Sequence, residues 1–362
     1  MSIHTFMETE VLILGAGPIG IELAANLKRF NVPYLHMEAG RLAETIARWP
    51  RTTPFFSSPE RVAVAGVPLQ TVHQSMVTGE EYLAYLRGVV EIHDLDVMLY
   101  CRVTHISAPQ GPDGGFTVTA DRRGKMITVR CRKIVLATGN MHEPRRLGIP
   151  GEESSHVDHS FGDVHRYFRQ KLLIVGGRNS AVEAAIRCFR AGSDVVLMHR
   201  KPDLEKDRLN SRYFLEFSIL RDKRKIGFIG SAELVNIRKG SAEYRTADGG
   251  INTVDSDFVL ICAGFDKDLS LLESAGARFD AEMRPVLDDT TMESTVPGLY
   301  LAGTASGGGF DSYKTFIGTS HAHVEKIVFH ICGADAVTGG YKKRGYPFSI
   351  EDIEPTEGSA GK

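Results

Sequence analysis

The sequence predicts an α/β fold of two doubly wound nucleotide-binding domains, one inserted into the other. Three observations carry this. An apolar run stops at a glycine turn and leads into a helix pattern at residues 11–27, "VLILGAGPIGIELAANL". The arrangement recurs at 171–186, "KLLIVGGRNSAVEAAI". A last apolar run, "PGLYLAGTA", meets one more glycine turn near the end and is free to rejoin the first sheet. At 362 residues the chain also exceeds the ~250–300 at which a single core stops growing.

Taken in order, residues 10–38 read strand, glycine turn, helix, strand. Residues 44–58, "ETIARWPRTTPFFSS", are broken by Pro50 and Pro54 and read as a loop. Leu83, Leu86, Val89 and Val90 then recur at helical spacing, with Thr78 as the cap. From 97 to 136 the period falls to two. "MLYCRVTHIS", "GFTVTAD" and "KMITVRCRKIVLATG" read as strands joined by the turns "GPDGG" and "DRRGK". "MHEPRRLGIPGEESSH" is punctuated as a linker, and a second strand–turn–helix–strand unit fills 171–200. Short strands follow at 226–230, 233–238 and 242–246, ending in "DSDFVLICAG". "FIGTSHAHVEKIVFHI" reads as a helix, and 341–362 as a polar tail. This order places one domain at 1–160 with 286–340 and the inserted one at 161–285.

Composition excludes several functions. Lys+Arg 43 against Asp+Glu 45 gives a net charge of −2, which argues for neither nucleic acid nor a membrane surface. "MSIHTFMETE" carries no cationic apolar signal, and no run approaches the ~18–20 apolar residues of a membrane span. A soluble, cytoplasmic protein is expected. The five cysteines, Cys101, Cys131, Cys188, Cys262 and Cys332, include no C-x-x-C, so neither a local dithiol nor a zinc pair is readable, and no metal is expected. Cys101, Cys131 and Cys262 lie in strand-like runs, where burial as small apolar residues is the simpler account.

Gly15, Gly17 and Gly20 fit G-x-G-x-x-G, with Pro18 opening the helix. The first glycine makes the turn, the second admits a pyrophosphate, and the third lets the helix pack on the strand. Glu38 ends the next strand, where a carboxylate accepts hydrogen bonds from ribose hydroxyls. The second turn offers Gly176, Gly177, Arg178, Asn179, Ser180 and Ala181, with Arg178 at the second-glycine position. Its next strand ends in His199, Arg200 and Lys201. A carboxylate there would repel a 2′-phosphate, whereas a guanidinium offers it a bidentate partner, so this turn reads as a site for NADPH over NADH.

With both turns in place, the chain resembles the two-dinucleotide-domain flavoproteins of the thioredoxin-reductase-like kind. "GAGPIG", "VLATG", "GGRNSAVEAA", "DFVLICAGF" and "TMESTVPGLYLAGTASGG" fall in that family's order, nearly end to end. Through "FFSSPERVAVAGVPLQT" and "TMESTVPGLYLAG" it is most similar to the bacilliredoxin reductases. The resemblance implies two Rossmann-like three-layer domains: FAD in the outer one and NADPH in the inserted one. It implies FAD contacts at Thr138, Gly139, Gly303 and Thr304, and hydride transfer from nicotinamide to flavin. The chain departs from its relatives in three ways. It lacks the thioredoxin-reductase dithiol, has Ile19 where bacillithiol-type relatives carry a cysteine, and has Thr304 where many carry an acid.

The expected activity is an NADPH-dependent FAD oxidoreductase, passing electrons to a small disulfide or a redox protein without an intrinsic dithiol. The alternatives are a flavin-dependent monooxygenase and a slow redox sensor. A homo-oligomer is expected. His321 and His323 open the last helix, either beside the flavin as catalytic groups or on the helix surface. "SSHVDHSFGDVHRYF" faintly resembles a monooxygenase segment but also reads as a linker. Trp49, Phe55 and Phe56 suit either a flavin wall or the core.

Overall fold

The computed structural model describes residues 5–108, 114–266, 268–307 and 315–340. The expected turn at 111–115 lies largely, and the tail at 341–362 wholly, outside the described residues. Two compact units are present. The first takes in the chain up to Ala47, Arg51–Asn140 and everything from Asp268; the second is Arg48–Pro50 and Met141–Lys267.

In the first unit, β1 (Thr5–Leu14) leads to α1 (Pro18–Arg29), and β2 (Tyr34–Met37) returns parallel beside β1. Val11 to Leu14 are buried, as suits a strand covered on both faces. Two short helices, α2 (Glu44–Ala47) and α3 (Pro59–Val62), lie at the start of the expected loop and just past its end. Helix α4 (Gly79–Ile92) starts at Thr78, which forms a reciprocal cap with Glu81. β3 (Cys101–Ser107), β4 (Phe116–Arg122) and β5 (Lys125–Leu136) form an antiparallel meander in the order β2-β1-β5-β4-β3. β3 begins at Cys101 rather than Met98 because Tyr100 takes a left-handed backbone, φ 53°.

The second unit begins with β6 (Glu143–Pro144) and β7 (Val157–Asp158), then β8 (Lys171–Val175), α5 (Asn179–Arg190) and β9 (Asp194–Met198). Helix α6 (Ser211–Asp222) and β10 (Gly227–Ile229) follow, then the meander β11 (Ala232–Arg238), β12 (Gly240–Thr246) and β13 (Ile251–Ser256). β14 (Phe258–Ile261) and β15 (Phe265–Asp266) complete it. Five parallel strands run β10-β9-β8-β14-β7. Side chains alternate across this sheet. Leu172 and Ile174 pack with Val182, Ile186 and Phe217 of α5 and α6, while Leu173 packs with Leu234, Ile237 and Ala242 of the meander. Helix α6 had no sequence signal, because its apolar residues encircle it instead of forming a stripe; Leu215 and Ile219 remain exposed.

The chain then returns to the first unit through α7 (Ser270–Ser274), β16 (Leu299–Leu301) and α8 (Ile317–Cys332). β16 pairs with the end of β5 at Ile134–Leu136, beyond the Cys131 position where β4 stops pairing. The last strand thus rejoins the first sheet, and α8 packs on α1. The unit boundaries differ from those expected at 160 and 286. β7 pairs with β14 of the second unit, whereas α7 packs on β3 and Ser274 accepts the Ile106 amide at 3.2 Å. Among the described residues, no helix is long and apolar enough to cross a membrane.

Candidate nucleotide-binding sites

In the first unit, parallel strands β1, β5 and β16 end side by side, and their glycine turns meet there. Gly15 has φ 103°, and a Cβ on it would lie 2.5 Å from the Ala137 carbonyl oxygen. A Cβ on Gly20 would lie 1.9 Å from the Gly15 carbonyl oxygen. A Cβ on Gly17 would meet nothing within 4 Å. Packing therefore dictates the first and third glycines, while the second faces space that a ligand can fill. Gly17 caps α1 without a side-chain bond, and the amides of Ile19 and Gly20 have no acceptor within the helix. Uncapped amides at an open glycine fit a pyrophosphate.

Glu38 is buried, and its two oxygens accept the Ala16 and Gly40 amides, each at 2.7 Å. A carboxylate offers about four lone-pair positions, so two remain for ribose hydroxyls. Gly139, at φ 75°, stands beside the Thr304 hydroxyl, and Gly303 beside Ile19. Thr138 is half-buried in the same cluster. Gly17→Val is expected to keep the apo fold, since its backbone is extended and the space is open, yet to lose at least about tenfold in FAD affinity. Gly20→Ala is expected to lose the fold itself. Flavin absorbance after purification and a circular dichroism melt distinguish the two.

The two histidines of α8 part company. His323 Nδ1 accepts the Gly303 amide at 3.2 Å, so the imidazole stands at the glycine turn. Burial, helped by Lys326, lowers its pKa and keeps it neutral with the proton on Nε2. His321 instead meets Glu22 of α1, Nδ1 to Oε2 2.7 Å, and its Nε2 lies 3.3 Å from the Arg61 carbonyl oxygen. One histidine thus stands at the glycine turn and the other is paired with a buried glutamate.

In the second unit, the turn after β8 lies between the ends of β9 and β14. The Gly176 amide donates to Met198, and a Cβ on it would crowd Cys262 and Ala181. The His199 ring fills the space beside Gly177, where a Cβ would come within 2.2 Å. Burial and then Arg200 lower the His199 pKa, and its buried Nε2 has no partner among the described residues. An orphaned donor or acceptor at an uncapped helix start, with Arg178 at the cap position, fits a dinucleotide phosphate. Arg200 is exposed, without an ion pair among the described residues, whereas Lys201 pairs with Glu205 at 2.8 Å. Asn179 accepts the Asn210 amide at 2.8 Å, so its oxygen ties α5 to the start of α6; Ser180 is exposed and Ala181 buried. Of the basic trio, the structure leaves Arg200 most available.

Phe55 and Phe56 differ in their surroundings. Phe55 packs on Tyr82 with ring centres 4.6 Å apart, and Phe56 is 49% exposed. In the 154–168 segment, His159 bonds Glu152 at 2.9 Å and buried Tyr167 donates to Asp158 at 2.9 Å, as a joining segment would. Sequence reasoning missed Glu22 and His36. Glu22, an acid inside an apolar helix run, and His36, two residues before Glu38, were the available signals.

The chain matches the profile of a family described as pyridine nucleotide-disulphide oxidoreductase over residues 12–303. It is 27% identical to the bacilliredoxin reductase Bdr of Bacillus subtilis, covering 90% of this chain and 98% of the relative. It superposes on the bacillithiol disulfide reductase Bdr from Bacillus cereus with TM-score 0.85 and 28% identity, covering 90% of this chain and 99% of that one. A ferredoxin–NADP reductase of Ignicoccus hospitalis is 24% identical over 81% of this chain and 89% of its own. The two glycine turns fit what this likeness implies. The chain belongs to the pyridine nucleotide-disulphide oxidoreductase family, as a flavoprotein oxidoreductase that works with a pyridine nucleotide.

Proposed function

We propose that the protein passes hydride from NADPH to FAD and delivers the electrons to a small disulfide or a redox protein, without a thiol relay of its own. The observation that carries the last clause is the state of the cysteines. A relay needs a thiolate, because the thiol is a poor nucleophile. Burial pushes the thiols of Cys131, Cys188 and Cys262 up to about 12, and raises those of Cys101 and Cys332 as well. Ile19 occupies the turn position where the bacillithiol-type proteins that the chain resembles carry a cysteine. The names of the relatives support both acceptor classes, one a disulfide and the other a ferredoxin.

When bound, FAD would supply the two-electron chemistry that links a nicotinamide to the acceptor. The chain's own residues do the rest. The Gly17 turn and the start of α1 hold the diphosphate, and Glu38 holds the ribose of the adenosine. Thr138, Gly139, Gly303 and Thr304 line the flavin end of the same cluster. The Gly176 turn holds the second dinucleotide, and Arg200 reads its 2′-phosphate. His323 keeps a proton on Nε2 while its Nδ1 holds the Gly303 amide. Five unpaired thiols suit a reducing compartment such as the cytoplasm.

Anaerobic NADPH titration should stop at two electrons per FAD, with no long-wavelength thiolate-to-flavin band. A variant with all five cysteines changed to serine or alanine should keep its NADPH oxidation with an artificial acceptor. Uptake of four electrons, or turnover lost with a single cysteine, would restore a thiol relay. Oxygen consumption coupled to a hydroxylated product would point to a monooxygenase instead.

A further inference from the structure

His36, in β2, is 1% exposed, and its Nε2 lies 2.9 Å from the Gly15 carbonyl oxygen. A carbonyl only accepts, so Nε2 carries the proton. Nδ1 is buried with no partner among the described residues. Two residues further along, just past the end of β2, Glu38 Oε2 accepts the Ala16 amide at 2.7 Å. The Gly15 carbonyl and the Ala16 amide are the two ends of one peptide group. His36 of β2 and Glu38 just past its end therefore grip that group at both ends, by a donor at one and an acceptor at the other.

The grip matters because of where the peptide sits. Gly15 has φ 103°, and glycine tolerates rotation of a neighbouring peptide that other residues resist. The Gly15 amide donates to Met37 at 2.8 Å and the Ala16 carbonyl accepts from Ala43 at 2.9 Å, so the backbone polar groups of Gly15 and Ala16 are all engaged. Reversing the Gly15–Ala16 peptide would break the His36 and Glu38 contacts and withdraw the carbonyl on which Gly20 rests. The turn amides facing the open space at Gly17 would then lose their common direction. An unpaired buried Nδ1 makes histidine a poorer core residue than leucine. What it adds is the donor to Gly15.

We propose that His36 is a positioning residue for FAD: with Glu38 it locks the Gly15–Ala16 peptide so that the turn is preset for the diphosphate. This rests on the assignment of the first turn to FAD. Burial brings the His36 pKa down to about 4, against the bond to Gly15, so the ring stays neutral and the lock holds through the working range of pH.

The test uses the full-length apoprotein, prepared by removing FAD, with affinity read from quenching of flavin fluorescence. His36→Leu should bind FAD at least tenfold more weakly while the melting temperature of its apo form does not fall. His36→Gln, whose side-chain amide can reach the same carbonyl, should recover to within threefold of the wild type. A smaller loss in His36→Leu, or equal losses in both variants, would overturn the proposal. If His36→Leu does not fold, nitrogen NMR of the wild-type histidines decides. A neutral ring protonated on Nε2, with that proton exchanging more slowly once FAD binds, supports the lock; a ring protonated on Nδ1 overturns it. If Gly17→Val binds FAD as the wild type does, the assignment of the turn falls and the lock with it.

Discussion

His321→Ala is expected to destabilise the folded protein by about 3–5 kcal/mol, the scale of an uncompensated buried charge. Glu22 has no exposed surface, and its carboxylate accepts the Ala65 and Gly339 amides at 2.8 Å each and faces His321 Nδ1 at 2.7 Å. Alanine would leave the carboxylate in place and remove its one ion-pair partner among the described residues. The same patch ties down the end of the described chain, since Asn26 accepts the Val337 amide at 2.7 Å and donates to the Val337 carbonyl at 3.0 Å. The effect should therefore appear as a lower urea midpoint with early loss of protection around 337–340.

The pair also sets a direction with pH. Burial pulls the His321 pKa down, but the bond and charge of Glu22, the Arg61 carbonyl and Glu325 outweigh it, and the pKa is raised. The unfolded histidine titrates near ~6.5. The stabilisation is fully present below that value and is lost as pH rises through the raised folded value. The gap between wild type and His321→Ala should thus narrow on the alkaline side, measured by urea melts at matched ionic strength. A variant that melts like the wild type but turns over slowly would return His321 to a catalytic role.

The legible features were those whose chemistry is local. A glycine turn between strand and helix is fixed by sterics over six residues, so Gly15, Gly17 and Gly20 announce themselves, and Glu38 follows at the end of the next strand. The return of β16 was legible for the same reason, through the glycine turn that ends it. What escaped was held together across the chain. Glu22 and Asn26 look like the solvent face of an amphipathic α1, yet they are 0% and 2% exposed because α8 and residues 337–339 cover that face with polar partners. No spacing rule links residue 22 to residue 321. The unit boundaries escaped similarly, because the strand pairing of Val157–Asp158 and the packing of Ser270–Ser274 are decided by distant partners. His36 was hidden by its strand: one polar residue in "YLHM" gives no sign that its ring will reach a turn carbonyl.

Arg200→Ala is expected to raise the KM for NADPH more than tenfold and leave that for NADH nearly unchanged. The two nucleotides differ only at the 2′-phosphate, so a residue that reads this group alone must separate them. The structure narrows the choice within the basic trio. His199 is packed against Gly177 with a lowered pKa, and Lys201 is engaged by Glu205, whereas Arg200 stands exposed with no ion pair among the described residues. Its planar guanidinium can meet a phosphate with two parallel bonds, which an ammonium cannot. Loss of such a charge-assisted contact costs about 1.5–3 kcal/mol, which corresponds to roughly ten- to more than a hundredfold in affinity. Because the contact is solvent-exposed, the preference should also weaken with added salt. Binding of 2′,5′-ADP to the resting protein, followed by calorimetry, checks the same residue without turnover. Equal losses for NADPH and NADH would show that Arg200 shapes the turn and does not read the phosphate. Unchanged affinity for both would move the phosphate to another cation, with Lys201→Ala as the next variant to measure.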